Sequence, residues 1–493
     1  MDDSTVIGVI GGGAAASVDA TGVVEALNLG TTDQVGNNEG KSDLELSLGD
    51  VANVTVSVDQ SIEGGEATAT TGNTNINLTG STTAIGVVGG GVAVASHTYQ
   101  EKNADGTSSN QAYKDSIAIA NTGKSTITVN TDDMDVSGSG WGTIGQAVGS
   151  VVNLGQNISE PGTGASTDLT GLDNKGAALG IFGGGVAFGH GSLVTELPTK
   201  GTGATATVNT AGSDIQLVSG YAAAVFGGGA AVTDNMARAV SSMKDASDNE
   251  YRDVNIKTGG QMTTVGIFGG GLALSMEGST SGYPADANEV LAYSDVGTVN
   301  ITNKGNTDGI FGGGMAIGNS NRNYKNAEHN DAESSVQTSN ITIENGTVSN
   351  LDMYAFMHAL KNDNGEEGSG KEDWGTSPWW NRLGYNASGT MVDLKGIMDD
   401  TSIAAGGLGL GMTGKAEVGT AHVKINGGTI EKDILGGGIA VDNITGNDGE
   451  KSYGKGGAHV GTSIIDLNGG TRQCLCGRCS ERYHSRHGKL AAC

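Results

Sequence analysis

Cysteine is absent from residues 1–470; Cys474, Cys476, Cys479 and Cys493 crowd into the tail 471–493. Thiol chemistry is thereby confined to that tail. Aromatic residues make up 4% of the 493 and charged residues 16%, which excludes an ordinary compact core rich in Phe and Leu. Basic residues are scarce: 27 Lys and Arg stand against 54 Asp and Glu, a formal net charge of −27. That balance argues against nucleic acid and anionic membrane surfaces as partners, because both attract clustered Lys and Arg. It suits a soluble extracellular surface. No apolar run approaches the ~18–20 residues of a membrane helix. The opening "MDDSTVIG" is acidic and has neither the basic nor the apolar region of a signal peptide. The expectation is a cytosolic protein or an internal piece of a longer secreted chain.

What the chain has instead is glycine, 86 residues of it. An excess of Gly, Ser, Thr, Asn and Asp can mean disorder, but disordered chains lack a regular apolar period. Here a motif recurs: "IGVIGGGAAA" at 7–16, "IGVVGGGVAV" at 85–94, "LGIFGGGVAF" at 179–188, "AAVFGGGAAV" at 223–232, "VGIFGGGLAL" at 265–274, "DGIFGGGMAI" at 308–317 and "KDILGGGIAV" at 432–441. The period is ~43 residues, with degenerate copies expected at 141–149 ("WGTIGQAVG") and 404–411 ("AAGGLGLG"), giving about nine to ten repeats. Before each triplet stands a short alternating stretch such as "TNINLTG" (74–80), "VNITNKG" (299–305) or "VKINGGTI" (423–430). Alternation with period two predicts a strand with one face in, and the following N-G or G-G predicts a turn needing φ > 0.

Strands, tight turns and variable polar excursions at a fixed period predict an all-β fold, a parallel β-helix or β-solenoid whose turns stack at ~4.8 Å. Helices are excluded by the Gly and β-branched content. Two roles are expected for the triplet: φ > 0 at a corner, or close approach of stacked backbones where a Cβ would clash. The organisation reads as repeats over 1–350, an aromatic-rich insertion or diverged repeat over 351–400, repeats over 401–470, and the atypical tail 471–493.

The combination "INGGTI…DILGGGIAV" with "VNITNKG…GIFGGGMAI" resembles the passenger regions of glycine-rich bacterial autotransporters and related surface adhesins. The resemblance covers roughly 1–470 as repeat style. It implies a right-handed parallel β-helix, export across the outer membrane, display at the cell surface, and a C-terminal translocating barrel in the full-length protein. No barrel-type strand series is present in this sequence. The partners it implies are a host surface, a glycan or other cells.

Several motifs look chemical and are read otherwise. "AIANTGKS" (118–125) matches a relaxed phosphate loop, but Ser125 runs into a strand where a helix is needed. "GLGMTG" (409–414) satisfies G-x-G-x-x-G with no βαβ unit around it. The tail has a C-x-C-x2-C run with His484 and His487, enough ligands for zinc. It also breaks abruptly from "SIIDLNGGT" into Arg-rich sequence, and back-translation with plausible codons shifted by one base restores the body's Gly/Ala/Asn/Ser character. We read it as frameshifted or non-native. Calcium is the cation that Asp132, Asp133 and Asp135 would take, although their spacing matches no EF-hand. The acids of 363–373 read as solvated loop residues. The best candidate ligand contacts are Trp374, Trp379, Trp380 and Tyr385, in a segment with six of the chain's 21 aromatics. No catalytic residues and no required cofactor are assigned. The expected function is a non-enzymatic surface stalk or adhesin. The alternative is a carbohydrate-active β-helix enzyme, a glycosidase or lyase, with carboxylates on adjacent turns.

Overall fold

The computed structural model describes residues 5–17, 32–38, 41–47, 53–59, 65–96, 101–102, 108–109, 116–132, 177–190, 204–234, 237–276, 292–318, 332–350, 400–411, 414–442 and 457–472. Every regular element among them is a β-strand, and most pairs are parallel. None of the described residues forms a helix long and apolar enough to cross a membrane.

One circuit of chain has four strand segments, as in Gly65–Thr71, Thr74–Gly80, Thr83–Val88 and Val92–Ser96. The glycine triplet joins the third to the fourth. Each segment pairs in parallel with its counterpart in the circuits before and after. The second-segment column runs Ile76, Ile127, Ile215, Ile256, Ile301, Ile341, Val423, Ile465. The third-segment column runs Ile10, Val88, Phe182, Phe226, Phe268, Phe311, Ala404, Leu435. Seven circuits are complete: 65–96, 116–190, 204–234, 237–276, 292–318, 332–411 and 414–442. Residues 5–17 supply only third and fourth segments before them, and 457–472 only first and second segments after them.

This count is lower than the sequence period suggests, for a reason visible in the pairing. Thr83–Val88 pairs directly with Ala177–Phe182, so no further circuit lies between them at the position expected for 141–149, which is outside the described residues. By contrast 404–411 behaves as expected, its strand Leu408–Gly411 lying between Met315–Gly318 and Ile439–Asp442. Residues 133–176 fall between a second and a third segment, whereas 351–399 fall inside a third segment. Val348 pairs with Thr307 and Ile403 with Ile310, so the chain leaves one strand's neighbour before 351–399 and rejoins it afterwards.

Alternation builds the first and second segments, where Ser125–Thr131 shows strictly alternating burial. Their inward Ile and Val pack with Val87, Ile181, Val225 and Ile267 of the third segments. Inward alanines of the first segments (Ala118, Ala206, Ala292) pack with those of the fourth (Ala187, Ala231, Ala273). The third and fourth segments are buried on both faces, as Tyr221–Phe226 shows, which is why they read as continuous apolar runs. Phe182, Phe226, Phe268 and Phe311 form a stacked column with centroids 5.2, 4.8 and 4.9 Å apart. The few phenylalanines are therefore concentrated in one ladder.

The triplet glycines do not adopt positive φ, which corrects one of the two expected roles. Positive φ occurs at Gly80, Gly212, Gly220, Gly346, Gly428 and Gly470. Three of these, Gly346, Gly428 and Gly470, are the N-G and G-G turns the sequence predicts. The triplet is glycine for lack of space instead. A Cβ on Gly269 would lie 2.3 Å from the Gly312 carbonyl oxygen of the next circuit and 2.4 Å from Val299 Cγ1. The same holds up the ladder, with 2.2 Å from Gly183 to the Gly227 oxygen and 2.3 Å from Gly227 to the Gly269 oxygen. The closeness is used: Gly183, Gly227 and Gly269 each donate an N–H to the phenylalanine carbonyl of the next circuit at 2.8–2.9 Å. Buried hydroxyls cap the corner from across the core, Ser241, Ser294 and Ser334 donating to the carbonyls of Gly229, Gly271 and Gly314 at 2.9 Å.

Candidate functional site

Trp374, Trp379, Trp380 and Tyr385 lie outside the described residues, as do Asp133, Asp135, the acids of 363–373 and the Cys/His-rich tail. Asp132 is described and accepts a hydrogen bond from the Ser81 hydroxyl at 2.9 Å. Among the described residues no group of three His, Cys, Asp or Glu is placed to hold a metal ion.

The phosphate-loop match is a strand, a two-residue turn and a strand, Ser116–Thr122 followed by Ser125–Thr131. Lys124 there pairs with Asp214 one circuit on, at 2.5 Å. "GLGMTG" likewise falls across two strand segments, Leu408–Gly411 and the start of Gly414–Ile425. A nucleotide site is not formed at either place.

Among the described residues lies a charged cluster that no sequence motif marks. Between the first and second segments of circuit 237–276 the chain inserts a hairpin, 243–253, closed by an antiparallel bridge from Lys244 to Tyr251. Arg252 pins its tip through Asp245 and Asp248. The hairpin lies over the outward face of the next circuit because Gly297 leaves room: a Cβ there would be 2.6 Å from Tyr251 Cβ. The Tyr251 hydroxyl donates to the Asp295 carboxylate, 2.6 and 2.7 Å from its two oxygens. Lys244 Nζ sits 3.1 Å from Asp295 and 4.4 Å from the Tyr251 ring centroid. Further along the same face, Lys415 bridges Glu417 at 2.6 Å and Glu333 at 3.5 Å.

Burial and then the Asp295 carboxylate push the Tyr251 phenol well above its ordinary range. Burial, Asp295 and Glu333 do the same for Tyr293. Both phenols are held neutral, Tyr251 as the donor to Asp295. Burial alone would lower Lys415, but Glu417 and Glu333 outweigh it and its ammonium is raised. So Asp295, Glu333 and Glu417 stand on three consecutive circuits, and each already has a lysine. Catalysis by a carboxylate pair needs one free to move a proton, and these are engaged as ion-pair partners.

On the second segments the outward groups are also mutual partners. Asn340 donates to Asn300 at 2.9 Å, Asn300 to Asn255 at 3.1 Å, and Asn255 to Asp214 at 2.7 Å. Burial would raise Asp214, but the bonds from Lys124 and Asn255 prevail and its carboxyl is lowered. His422 continues the column and meets Asp466 at 2.8 Å. A cavity of about 200 Å³ opens beside Tyr221, Thr263, Asn306, Asp308 and Ser349, with Asp308 as its one lining carboxylate. Asp308 there accepts a hydrogen bond from Ser349 at 2.8 Å.

No sequence pattern announces the Tyr251–Asp295–Lys244 cluster, because its members come from different circuits and meet only once the register is known. Compared with known proteins, the chain matches no protein-family model, no curated protein and no solved structure.

Proposed function

We propose that the chain is a parallel β-solenoid that serves as a non-enzymatic stalk or adhesive display surface, outside a bacterial cell, in the manner of an autotransporter passenger. The observation that carries this reading is the in-register ladder from 5–17 to 457–472, in which outward Asn, Lys and acidic side chains are satisfied by one another. Eight stacked layers at ~4.8 Å make a rod about 40 Å long. The circuits differ in length at the stretches that connect their strand segments. The net charge of −27 keeps such a rod soluble.

The test is to replace excursion 277–291 or insertion 351–399 with a short Gly/Ser linker, then measure both the rod and its binding. Solution scattering should still report an elongated particle, and surface labelling of intact producing cells should still find the chain. Adhesion to cells or glycans should drop for at least one replacement. The alternative, a carbohydrate-active β-helix enzyme, draws on Asp295, Glu333 and Glu417 standing on consecutive circuits. Cleavage of any polysaccharide that is lost in Glu333→Gln would replace the stalk reading with that one.

A further inference from the structure

The inward column that closes the second segments is aliphatic except at one step. Val129 and Leu217 lead into it, and Ile343 and Ile425 continue it. Between them stand Thr258 and Asn303, 4% and 0% exposed. The two meet: the Thr258 hydroxyl donates to the Asn303 side-chain oxygen at 2.6 Å, and Asn303 Nδ2 donates to the Gly305 carbonyl at 2.9 Å.

The same step is where the corner to the third segment changes length most. Leu217 and Tyr221 enclose three residues, 218–220; Thr258 and Thr263 enclose four, 259–262; Asn303 and Asn306 enclose two, 304–305. Later corners return to three, 344–346 and 426–428. At those corners the turn N–H groups reach backbone, Asn426 and Gly427 donating to the Ile343 carbonyl at 2.8 and 3.3 Å. In the short corner, Lys304 and Gly305 donate instead to the Thr258 hydroxyl, at 2.9 and 3.1 Å. One hydroxyl thus serves a buried amide and a mismatched turn together.

Apolar contacts do not choose which circuit lies beneath 292–318. Val299 repeats Val254, Ile301 repeats Ile256 and Phe311 repeats Phe268, and the glycine triplet recurs in 204–234 as well. Corner length alone favours the wrong neighbour, since the step from three residues to two is smaller than from four to two. Stacked on 204–234, however, Asn303 would face Leu217, and its carboxamide would be buried against methyl groups without the Thr258 hydroxyl.

We propose that the Thr258–Asn303 pair is a pairing key, the contact that makes circuit 292–318 stack on 237–276 and not on the similar circuit before it. A polar residue at one core position selects register in the same way in other repetitive folds, at some expense in stability. The proposal rests on the parallel ladder and is independent of surface display.

Disulfide trapping during refolding tests it, in the full chain with the four tail cysteines replaced by serine. Lys257→Cys/Thr302→Cys joins outward neighbours one layer apart and reports native stacking. Gln216→Cys/Thr302→Cys spans two layers, ~9.6 Å and beyond disulfide reach, unless 292–318 has slipped onto 204–234. Each chain is diluted from urea and oxidised, and the cross-linked peptides are counted by mass spectrometry. Asn303→Ile places the column's own residue type at 303. It should raise the ratio of slipped to native cross-links at least ~10-fold while circular dichroism of the refolded chain stays unchanged. Thr258→Val should raise the ratio too, and Thr258→Ser, which keeps the hydroxyl, should hold it at the parental value. Ile301→Val removes a methylene from the same segment without touching a polar group and should leave the ratio alone.

An unchanged ratio in Asn303→Ile overturns the proposal. So does an equal rise in Ile301→Val, which would make lost stability and not pairing choice the cause. An Asn303→Ile chain that yields neither cross-link overturns it as well, because the pair would then be needed to hold the ladder at all.

Discussion

Gly270→Ala is the sharpest test of why the triplet exists. A Cβ at residue 270 would lie 2.6 Å from Gly314 N, 2.7 Å from Val296 Cγ2 and 2.8 Å from Gly314 Cα. Ordinary contact needs roughly 3.4 Å or more, so two circuits must part by most of an ångström or the opposing wall must retreat. Parting strains the adjacent bonds, Gly269 N–H to Phe311 O at 2.8 Å and Met315 N–H to Gly271 O at 2.9 Å. Two weakened hydrogen bonds at ~1 kcal/mol each and ~1–3 kcal/mol of overpacking are set against ~0.5–1 kcal/mol gained by restricting the unfolded chain. The net expectation is a loss of about 2–4 kcal/mol. Gly437→Ala occupies the same motif position at the open end, and Gly260→Ala has no atom within 4 Å of its Cβ; both should stay within about 0.5–1 kcal/mol of the parent. Urea unfolding of dilute protein, followed by circular dichroism, gives the ranking, and amide exchange over 263–276 and 306–318 localises it. Asn at 270 separates steric from conformational need. Were φ > 0 the reason for glycine, Asn would outperform Ala, whereas crowding makes Asn at least as damaging. A Gly270→Ala loss below ~1 kcal/mol, or equal losses at 270 and 437, would refute the reasoning.

Truncating Phe268, whose ring stacks on both neighbours at 4.8 and 4.9 Å, should cost about 3–5 kcal/mol as Ala and roughly 1–1.5 as Leu in the same urea assay. At alkaline pH, Tyr251 and Tyr293 keep their protons in the folded state above the ~10 of a free phenol. A raised folded pKa means their stabilisation is complete below ~10 and is lost as pH climbs toward the folded values. Stability should therefore fall from pH ~10 upward, less steeply in Tyr251→Phe, as midpoints against pH would reveal. Asp214 runs the other way: its lowered pKa gives stability that is present above ~4 and fades as pH drops through the folded value. Asp214→Asn should flatten the acid limb of the same plot, modestly, because the side chain is partly exposed. An acid limb unchanged by Asp214→Asn would remove that carboxylate from the account.

How much of this was legible depended on whether the relevant spacing lies within one circuit or between circuits. The strands "TNINLTG" and "VNITNKG" announce themselves by alternation, and the turns at Gly346, Gly428 and Gly470 by their N-G and G-G sequence, since both signals are local. The parallel register follows from the repeated triplet, which aligns each circuit on the next. The phenylalanine column could have been found the same way: the residue before the triplet is Phe at 182, 226, 268 and 311. The hairpin 243–253 was not legible, because nothing in "MKDASDNEYRD" says that Tyr251 will meet Asp295 forty-four residues on. Nor was the site of the insertions, where 351–399 stands out by its aromatic content and only the pairing of Val348 and Ile403 with one neighbouring strand places it inside a circuit.

The same distinction explains where the sequence is free to drift. The residues opposite the second glycine run Thr71, Thr122, Thr210, Met243, Val296, Ser334, Val418 and Val460, threonine at one end of the ladder and mostly aliphatic at the other. The glycines they face do not change. A wall residue can exchange a hydroxyl for a methyl of similar size and keep the contact, although the threonine hydroxyls at 71, 122 and 210 are buried without a hydrogen-bond partner. A triplet glycine has no such latitude, because its neighbours above and below are backbone and cannot rotate away. Ala405 is the informative exception. It takes the first triplet position, and its N–H still donates to the Leu435 carbonyl at 2.9 Å. Across from it stands Ala421, where other circuits have Val254 or Val299. The methyl gained on one side of the core is matched by methyls missing on the other. Gly269→Ala should accordingly be relieved by Val299→Ala on the wall side, while its 2.3 Å clash with the Gly312 oxygen persists. A double variant restored fully to parental stability would mean that the wall, and not the stacked backbone, is what demands glycine.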